Sequence, residues 1–341
     1  MDHGAVWSEV SRSGGAAVLA TIIAVEGHAY RKEGAAMVLR PEGESEGVLS
    51  PGCLEDDLRA RVPAVLASGL PELVYYDMRP EEDPIWGEAI GCGGRITILL
   101  EPLDGELRSL LLEAHGLLEA GRGAVLERRL AGKRIEYRLI RALEERGADD
   151  TAGELLFASA FRPVPRLILF GAGRDAPPLC ALAAKIGFRV VVADWRQGLL
   201  SADRFPAASE RIAGTPEELA RRLNVGSGDY VILCSHQLRR DREMLERMLP
   251  ASPYYLGVMG SGKRVEVLFE GLKRTPNVSA PVGLDIGADG PEEIAVSIAA
   301  ELVARKAAAA AGVREVGADA GRGFVFGGGT GEPDGRRQAV R

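Results

Sequence analysis

The sequence contains no long apolar run. No stretch of its 341 residues approaches the roughly 18 consecutive apolar residues that a membrane-spanning helix needs. The opening stretch, MDHGAVWSEVSRSGG, has neither the basic start nor the apolar segment of a signal peptide. We therefore expect a cytoplasmic protein that does not bind membranes.

Excess positive charge and paired cysteines are also missing. The formal net charge is −7, whereas a protein that binds nucleic acid broadly needs a basic surface to displace counterions. The four cysteines, at positions 53, 92, 180 and 234, include no CxxC pair, which argues against a disulfide framework and against structural zinc. Any anion must therefore be bound locally, by a few residues.

The order of apolar segments predicts two domains of different type. Strand-like runs and amphipathic helices in the first half indicate an α+β domain, whereas the second half alternates short apolar strands with helices, as in a parallel sheet. The predicted fold is α/β, an N-terminal α+β domain followed by a Rossmann-like, doubly wound parallel-sheet domain. The predicted units are residues 1–145, a linker at 146–162, the second domain at 163–306 and a flexible tail at 307–341.

A glycine-rich turn follows the first strand of the second domain. Gly171 and Gly173 follow the apolar run LILF, a pattern that lets a backbone turn approach a pyrophosphate. Asp194 ends the next strand, where an acid binds a ribose hydroxyl, and Arg174 adds a cation to the turn. The segment predicts nucleotide-type binding, with a purely structural turn as the alternative.

Two later segments are expected to reach the same edge of the sheet. His236 follows the fourth strand, which neighbours the first strand in the common doubly wound order, so it should face Gly171 across the crevice. A surface histidine with a structural hydrogen bond is the alternative. Ser261, Lys263 and Arg264 form a second turn suited to an anion, or else a solvated basic turn.

The first domain offers two thiols and a basic loop. Cys53 lies at the start of a predicted helix, where the helix dipole lowers a thiol pKa although nearby acids oppose this, and Cys92 lies between glycines. Buried cysteines are commonly inert, so simple packing is the alternative for each. Arg31 lies in a loop before a strand.

These segments together resemble the xanthine dehydrogenase accessory family, XdhC/CoxI, which helps molybdenum hydroxylases to mature. The resemblance covers about residues 6–306. It rests on RKEGAAMVL, GVLSPGCLE and GCGGRITILLEPL in the first half, and on FGAGRDAPPL, SHQLRRD, YLGVMGSGKR and PVGLDIGADGPEEIAVSIAAE, which contains Asp285, in the second. The chain departs from the family pattern at Pro51, where the family has glycine, at GHAY before Arg31, and at Arg174, where the family commonly has histidine.

The resemblance implies a chaperone for the molybdenum cofactor, as molybdopterin or its cytosine dinucleotide form. Such a protein would hold the cofactor while a cysteine desulfurase exchanges an oxo ligand for sulfur, deliver it to an apo-hydroxylase, and form a homodimer. The family turn maps its cysteine onto Cys53, a soft ligand for the metal, and its acid onto Glu55. From site chemistry, the cofactor's phosphate or pyrophosphate would meet Gly171, Gly173, Lys263 and Arg264.

Two other readings of the sequence remain open. The dinucleotide pattern alone favours an NAD-dependent oxidoreductase, although the first domain shows no clear set of hydride-transfer residues. A scaffold with purely structural glycine turns is the third reading, because a fold does not establish a function.

Overall fold

The structure is a computed structural model. It describes residues 6–7, 10–11, 15–42, 45–52, 54–78, 94–132, 134–141 and 153–318. Within these ranges, no helix combines the length and the apolar character required to cross a membrane.

The first domain is built on a five-stranded antiparallel sheet with the order β3-β2-β1-β5-β4. Its strands are β1 (Val18–Glu26), β2 (Ala36–Leu39), β3 (Glu46–Gly47), β4 (Glu72–Asp77) and β5 (Arg95–Pro102). Helix α1 (Glu55–Ser68) covers one face, because its buried residues Leu58, Val62 and Val65 recur at helical spacing. Alternate residues of β1 face this helix, as the two-residue period of a strand requires.

The opposite face of this sheet packs against helix α2 (Gly105–Glu119) and a three-stranded sheet. That sheet has the order β7-β6-β8, with β6 (Ala124–Ala131), β7 (Arg134–Arg141) and β8 (Glu154–Phe161). A buried ion pair joins the two sheets, since Nε of Arg128 lies 2.9 Å from both carboxylate oxygens of Glu101. Arg128 Nη1 also donates to Ser159 Oγ on β8, at 2.9 Å.

The second domain contains a six-stranded parallel sheet with the order β11-β10-β9-β12-β13-β14. In chain order within the domain this is 3-2-1-4-5-6, the order of dinucleotide-binding Rossmann domains. The strands are β9 (Arg166–Phe170), β10 (Arg189–Asp194), β11 (Glu210–Ala213), β12 (Tyr230–Leu233), β13 (Tyr255–Val258) and β14 (Val278–Ser279).

Helices cover both faces of this parallel sheet, as its apolar strands require. One face carries α3 (Ala176–Lys185) and α7 (Gly290–Ala318); the other carries α4 (Pro216–Leu223), α5 (Leu238–Ala251) and α6 (Gly262–Leu268). The predicted fold class, an α+β domain followed by a Rossmann-like domain, is therefore confirmed.

The structure differs from the sequence prediction in two segments. Strand β8 lies inside the predicted linker at 146–162 and pairs antiparallel with β6. The stretch before β8 is charged and contains glycine, so the sequence pattern there predicted a linker and not a strand. Helix α7 continues to Ala318, past Lys306 where the tail was predicted to begin, because alanine has the highest helix propensity of the residues.

Candidate functional site

A cleft opens in the first domain where the turn before α1 meets the sheet. Its volume is about 790 Å³, within the range of sites that bind drug-sized molecules. It is lined by Tyr30, Met37, Ser45, Gly47, Val48, Ser50, Pro51, Gly52, Glu55 and Arg59. Its lining residues Gly52 and Glu55 lie before and after Cys53 in the sequence. Cys53 is the thiol that the sequence predicts as a ligand.

Glu55 holds the turn that precedes α1. Its carboxylate accepts hydrogen bonds from the amides of Ser50 at 2.8 Å, Leu54 at 3.2 Å and Leu49 at 3.4 Å, and from the Ser50 hydroxyl. Burial acts to raise the pKa of Glu55, but these hydrogen bonds outweigh it and keep the pKa below its usual range. Glu55 is therefore an ionised residue that positions the turn, and its oxygens already have donors.

Arg59 brings positive charge to the cleft from the second turn of α1. Its guanidinium donates to Asp56 Oδ1 at 3.1 Å and to Ser45 Oγ at 3.0 Å. The Asp56 side chain is 89% exposed, so this ion pair is weak and exchangeable. Nε of Arg59 is buried and has no hydrogen-bond partner within the described residues.

The loop between β1 and β2 contributes an aromatic ring and a second cation. Tyr30 lines the cleft and is 60% exposed. Arg31 follows it, is half-buried, and makes no hydrogen bond or ion pair with the part of the chain that the structure describes. The predicted residue Arg31 therefore belongs to a loop that borders the cleft.

Cys53 and Cys92 lie outside the described residues. Among the other two cysteines, burial raises the pKa of Cys180 to about 11 and that of Cys234 well above its usual value, so both thiols are inert packing groups. The described ranges contain no group of three His, Cys, Asp or Glu side chains arranged to hold a metal ion.

Sequence reasoning selected only Glu55 among the cleft residues, and it missed Tyr30, Ser45 and Arg59 among others. A signal existed for Arg59, which lies four positions after Glu55 and so on the same side of α1. None existed for Ser45, which reaches the cleft only because β3 pairs with β2.

The crevice of the second domain brings the predicted residues Gly171, Gly173 and His236 together. Strand β9 pairs directly with β12, so the turn after β9 faces the residues that follow β12. Nε2 of His236 lies 2.5 Å from Oδ2 of Asp175. His236 thus lies where its position after the fourth strand predicted.

Asp194 is engaged within the protein. It is fully buried and accepts from the amide of Ala172 at 2.7 Å, and from the amide, Nε and Nη2 of Arg196 at 2.7, 2.9 and 2.8 Å. Burial acts to raise the pKa of Asp194, but the hydrogen bonds of Arg196 and Ala172 lower it below its usual range. The role in ribose binding stays a prediction, and in this structure both carboxylate oxygens already have donors.

Arg264 is likewise engaged. Its Nη2 donates to Asp241 at 2.7 Å, and Asp241 also accepts from the Ser235 hydroxyl at 2.5 Å. Burial raises the pKa of Asp241 despite the hydrogen bonds of Ser235 and Arg264. The Arg264 guanidinium therefore links α6 to α5, and Asp241 of α5 in turn binds Ser235 after β12.

The remaining predicted residues of the second domain are exposed. Ser261 caps α6 by accepting from the Arg264 amide at 3.4 Å, whereas Arg174 and Lys263 make no hydrogen bond with any described residue. Asp285 lies in the loop before α7, beside the exposed residues Leu284 and Ile286.

Fold and site together define a two-domain α/β protein in which an antiparallel domain with an open cleft precedes a Rossmann domain. Residues 10–77 match the XdhC and CoxI family, and residues 167–302 match the XdhC Rossmann domain. The chain belongs to the XdhC and CoxI family.

The relatives span nearly the whole chain. A Bacillus subtilis (strain 168) protein named as a probable subunit of xanthine dehydrogenase is 34% identical, over 84% of this chain and 92% of its own length. The molybdenum cofactor insertion chaperone PaoD of Escherichia coli (strain K12) is 29% identical, over 86% of this chain and 85% of its own. A crystal structure described as a xanthine dehydrogenase from Bacillus halodurans is 36% identical and superposes with a TM-score of 0.80, covering 90% of this chain and 96% of that one.

Proposed function

We propose that the protein is a molybdenum cofactor insertion chaperone that serves a molybdenum hydroxylase of the xanthine dehydrogenase type. The observation that carries the proposal is the cleft of about 790 Å³, whose lining includes Gly52 and Glu55, residues close to Cys53 in the sequence. The likeness to PaoD over most of both chains supports it. The alternative of an NAD-dependent oxidoreductase has no support from the relatives named above.

The donors of the cleft fit a pterin that carries phosphate. The exposed ring of Tyr30 offers a stacking surface, and the exposed side chain of Val48 offers apolar contact. Arg59 has a weakly paired guanidinium and a buried Nε without a partner among the described residues, which suits a phosphate oxygen. When bound, the cofactor supplies the molybdenum, for which the Cys53 thiolate is the soft ligand that we propose.

The other partners follow from the same proposal. The chaperone would shield the cofactor from water while a cysteine desulfurase supplies sulfur, and would then pass it to the apo-hydroxylase. Arg31 and Cys92, which precede β2 and β5, are proposed to complete the binding site. A homodimer is also proposed, and an absolute mass of twice the 36.3 kDa chain in light scattering would support it.

The test measures cofactor bound to the full chain. The protein is purified without oxygen from a host that makes the molybdenum cofactor, and molybdenum and oxidised pterin are measured per chain. We expect both in the wild-type protein, and a loss of about ten-fold or more in Cys53→Ala and in Arg59→Ala, because each removes a strong contact. Cys180→Ala is the matched control, since it removes a thiol buried in the other domain.

The outcomes separate two claims. Wild-type protein without molybdenum and pterin would contradict the chaperone function. Wild-type occupancy in Cys53→Ala, with cofactor present, would contradict only the role of the thiol.

A further inference from the structure

We infer that the crevice of the Rossmann domain is narrowed by the chain's own side chains, and that Asp175 excludes the diphosphate of a nucleotide from it. In this fold a diphosphate lies against the turn between the first strand and the first helix, here residues 171–175. Asp175 of this turn and His236, called the crevice pair below, contact each other through side-chain atoms 2.5 Å apart.

The carboxylate of Asp175 lies at the helix start where a bound anion would be expected. It is the residue immediately before α3, where the amino end of a helix attracts negative charge. Its side chain is 18% exposed, and Oδ2 lies 2.5 Å from Nε2 of His236. A ligand diphosphate would have to lie beside this carboxylate, and like charges in contact repel each other.

The imidazole of His236 lies near the second glycine. His236 has a φ of 58°, a left-handed conformation that is uncommon for a residue other than glycine. A methyl group placed on Gly173 would lie 4.0 Å from Cδ2 of His236. In dinucleotide-binding domains the second glycine leaves room for the ligand, and here that room adjoins the histidine ring.

Several polar groups around the turn are also engaged within the chain. The Ala172 amide donates to Asp194, and Arg204 Nη2 donates to the carbonyls of Ala172 and Gly173 at 3.1 and 3.4 Å. Pro177 and Pro178 open helix α3 and have no amide hydrogen to offer a phosphate. With the Ala172 amide engaged and no amide hydrogen at positions 177 and 178, this turn offers a diphosphate fewer donors than a helix start without prolines.

This arrangement changes what the glycine pattern means. The turn is a tight connection that the crevice pair closes, and NAD does not fit it. For the molybdenum cofactor the inference rests on the proposed function and refines it: the phosphate end of the cofactor is bound in the first domain.

The experiment measures binding of ADP, CDP and NAD⁺ to the full chain by calorimetry. We expect no saturable binding to the wild-type protein up to about 1 mM, and a gain of about ten-fold or more for ADP and CDP in Asp175→Asn, which keeps the shape and removes the charge. Glu210→Gln is the matched control, because it removes one exposed carboxylate at the amino end of β11. The crevice lies at the other end of the strands, where they have their carboxyl ends.

Each outcome decides the inference. Saturable binding of a diphosphate to the wild-type protein below about 1 mM would overturn it, as would Asp175→Asn that folds normally and gains nothing. For the cofactor, Gly173→Val is expected to retain wild-type molybdenum and pterin. If wild-type protein binds cofactor and this variant does not, the inference fails while the chaperone function stands.

Discussion

At the scale of single residues, Asp194 fastens the glycine-rich turn to the end of the neighbouring strand. Its carboxylate receives the Ala172 amide on one side and Arg196 on the other, in a fully buried position. A buried carboxylate with four hydrogen bonds stabilises the fold only while it is ionised. Its contribution should therefore depend on pH.

We predict that Asp194→Asn lowers the free energy of unfolding by about 1–3 kcal/mol at neutral pH, because the amide places a donor against Arg196. The pKa of Asp194 is lowered from 3.8 in the folded protein, so the stabilisation is present above about pH 4 and is lost as the pH falls through the folded-state pKa. Urea unfolding between pH 3 and 7 measures it, with exposed Asp203→Asn as the control. An equal difference between wild type and variant at all these pH values would contradict the prediction.

At the scale of elements, the close approach of β9 and β12 depends on one glycine. Gly171 has a φ of 122°, and a methyl group there would lie 2.5 Å from the Cα and N of Ser235. The backbone hydrogen bond from Cys234 to Phe170, at 2.8 Å, holds the two strand ends at this distance. No L side chain fits without moving one strand.

We predict that Gly171→Ala destabilises the second domain by about 3 kcal/mol, because strain and a backbone clash add. Gly173→Ala is the matched control and should change stability by less than about 1 kcal/mol, since its methyl group meets only ordinary contact with His236 at 4.0 Å. Thermal unfolding of both variants measures the difference. Equal melting temperatures for the two variants would show that the strand ends can separate without loss.

Sequence patterns predicted those strands and helices that have a continuous apolar run or a regular spacing of apolar residues. The strands β9, β10 and β12 are continuous apolar runs, and helix α1 repeats its buried leucines and valines at helical spacing. Strand β11 is only four residues long and has one buried side chain, so its sequence gives a weak strand pattern. Short edge strands carry too little periodicity to be found.

The partners of the site residues could not be predicted, because they depend on contacts between distant segments. Asp175 and His236 are 61 positions apart, and Arg264 and Asp241 are 23 apart. The glycine spacing correctly placed a turn at the switch point of the sheet. It could not show that a carboxylate of the same turn lies where a ligand phosphate was expected.

At the scale of the whole molecule, the two sheets of the first domain are joined through side chains from three strands. Arg128 on β6 is buried between Glu101 on β5 and Ser159 on β8. Phe161, at the end of β8, packs edge-on against Trp7 with ring centroids 4.9 Å apart. The chain up to Phe161 is therefore part of the structure that carries the cleft.

We predict that a fragment of residues 1–165 folds cooperatively, whereas a fragment of residues 1–145 does not. The shorter fragment lacks β8, so the central strand β6 loses one of its two partners and exposes an edge that favours aggregation. The shorter fragment also lacks Ser159, so the buried Arg128 guanidinium loses a hydrogen bond. Such a loss lowers the free energy of unfolding by about 1–3 kcal/mol. Circular dichroism during thermal unfolding, together with size-exclusion chromatography, distinguishes the two fragments.

The longer fragment also tests where the cofactor is bound. If the first domain holds the whole ligand, the fragment of residues 1–165 should retain molybdenum and pterin when it is purified in the same way as the full chain. The control is that fragment carrying Arg59→Ala, which keeps the fold and removes the cation of the cleft. A well-folded fragment without cofactor, beside a full chain that has it, would place part of the binding site in the Rossmann domain.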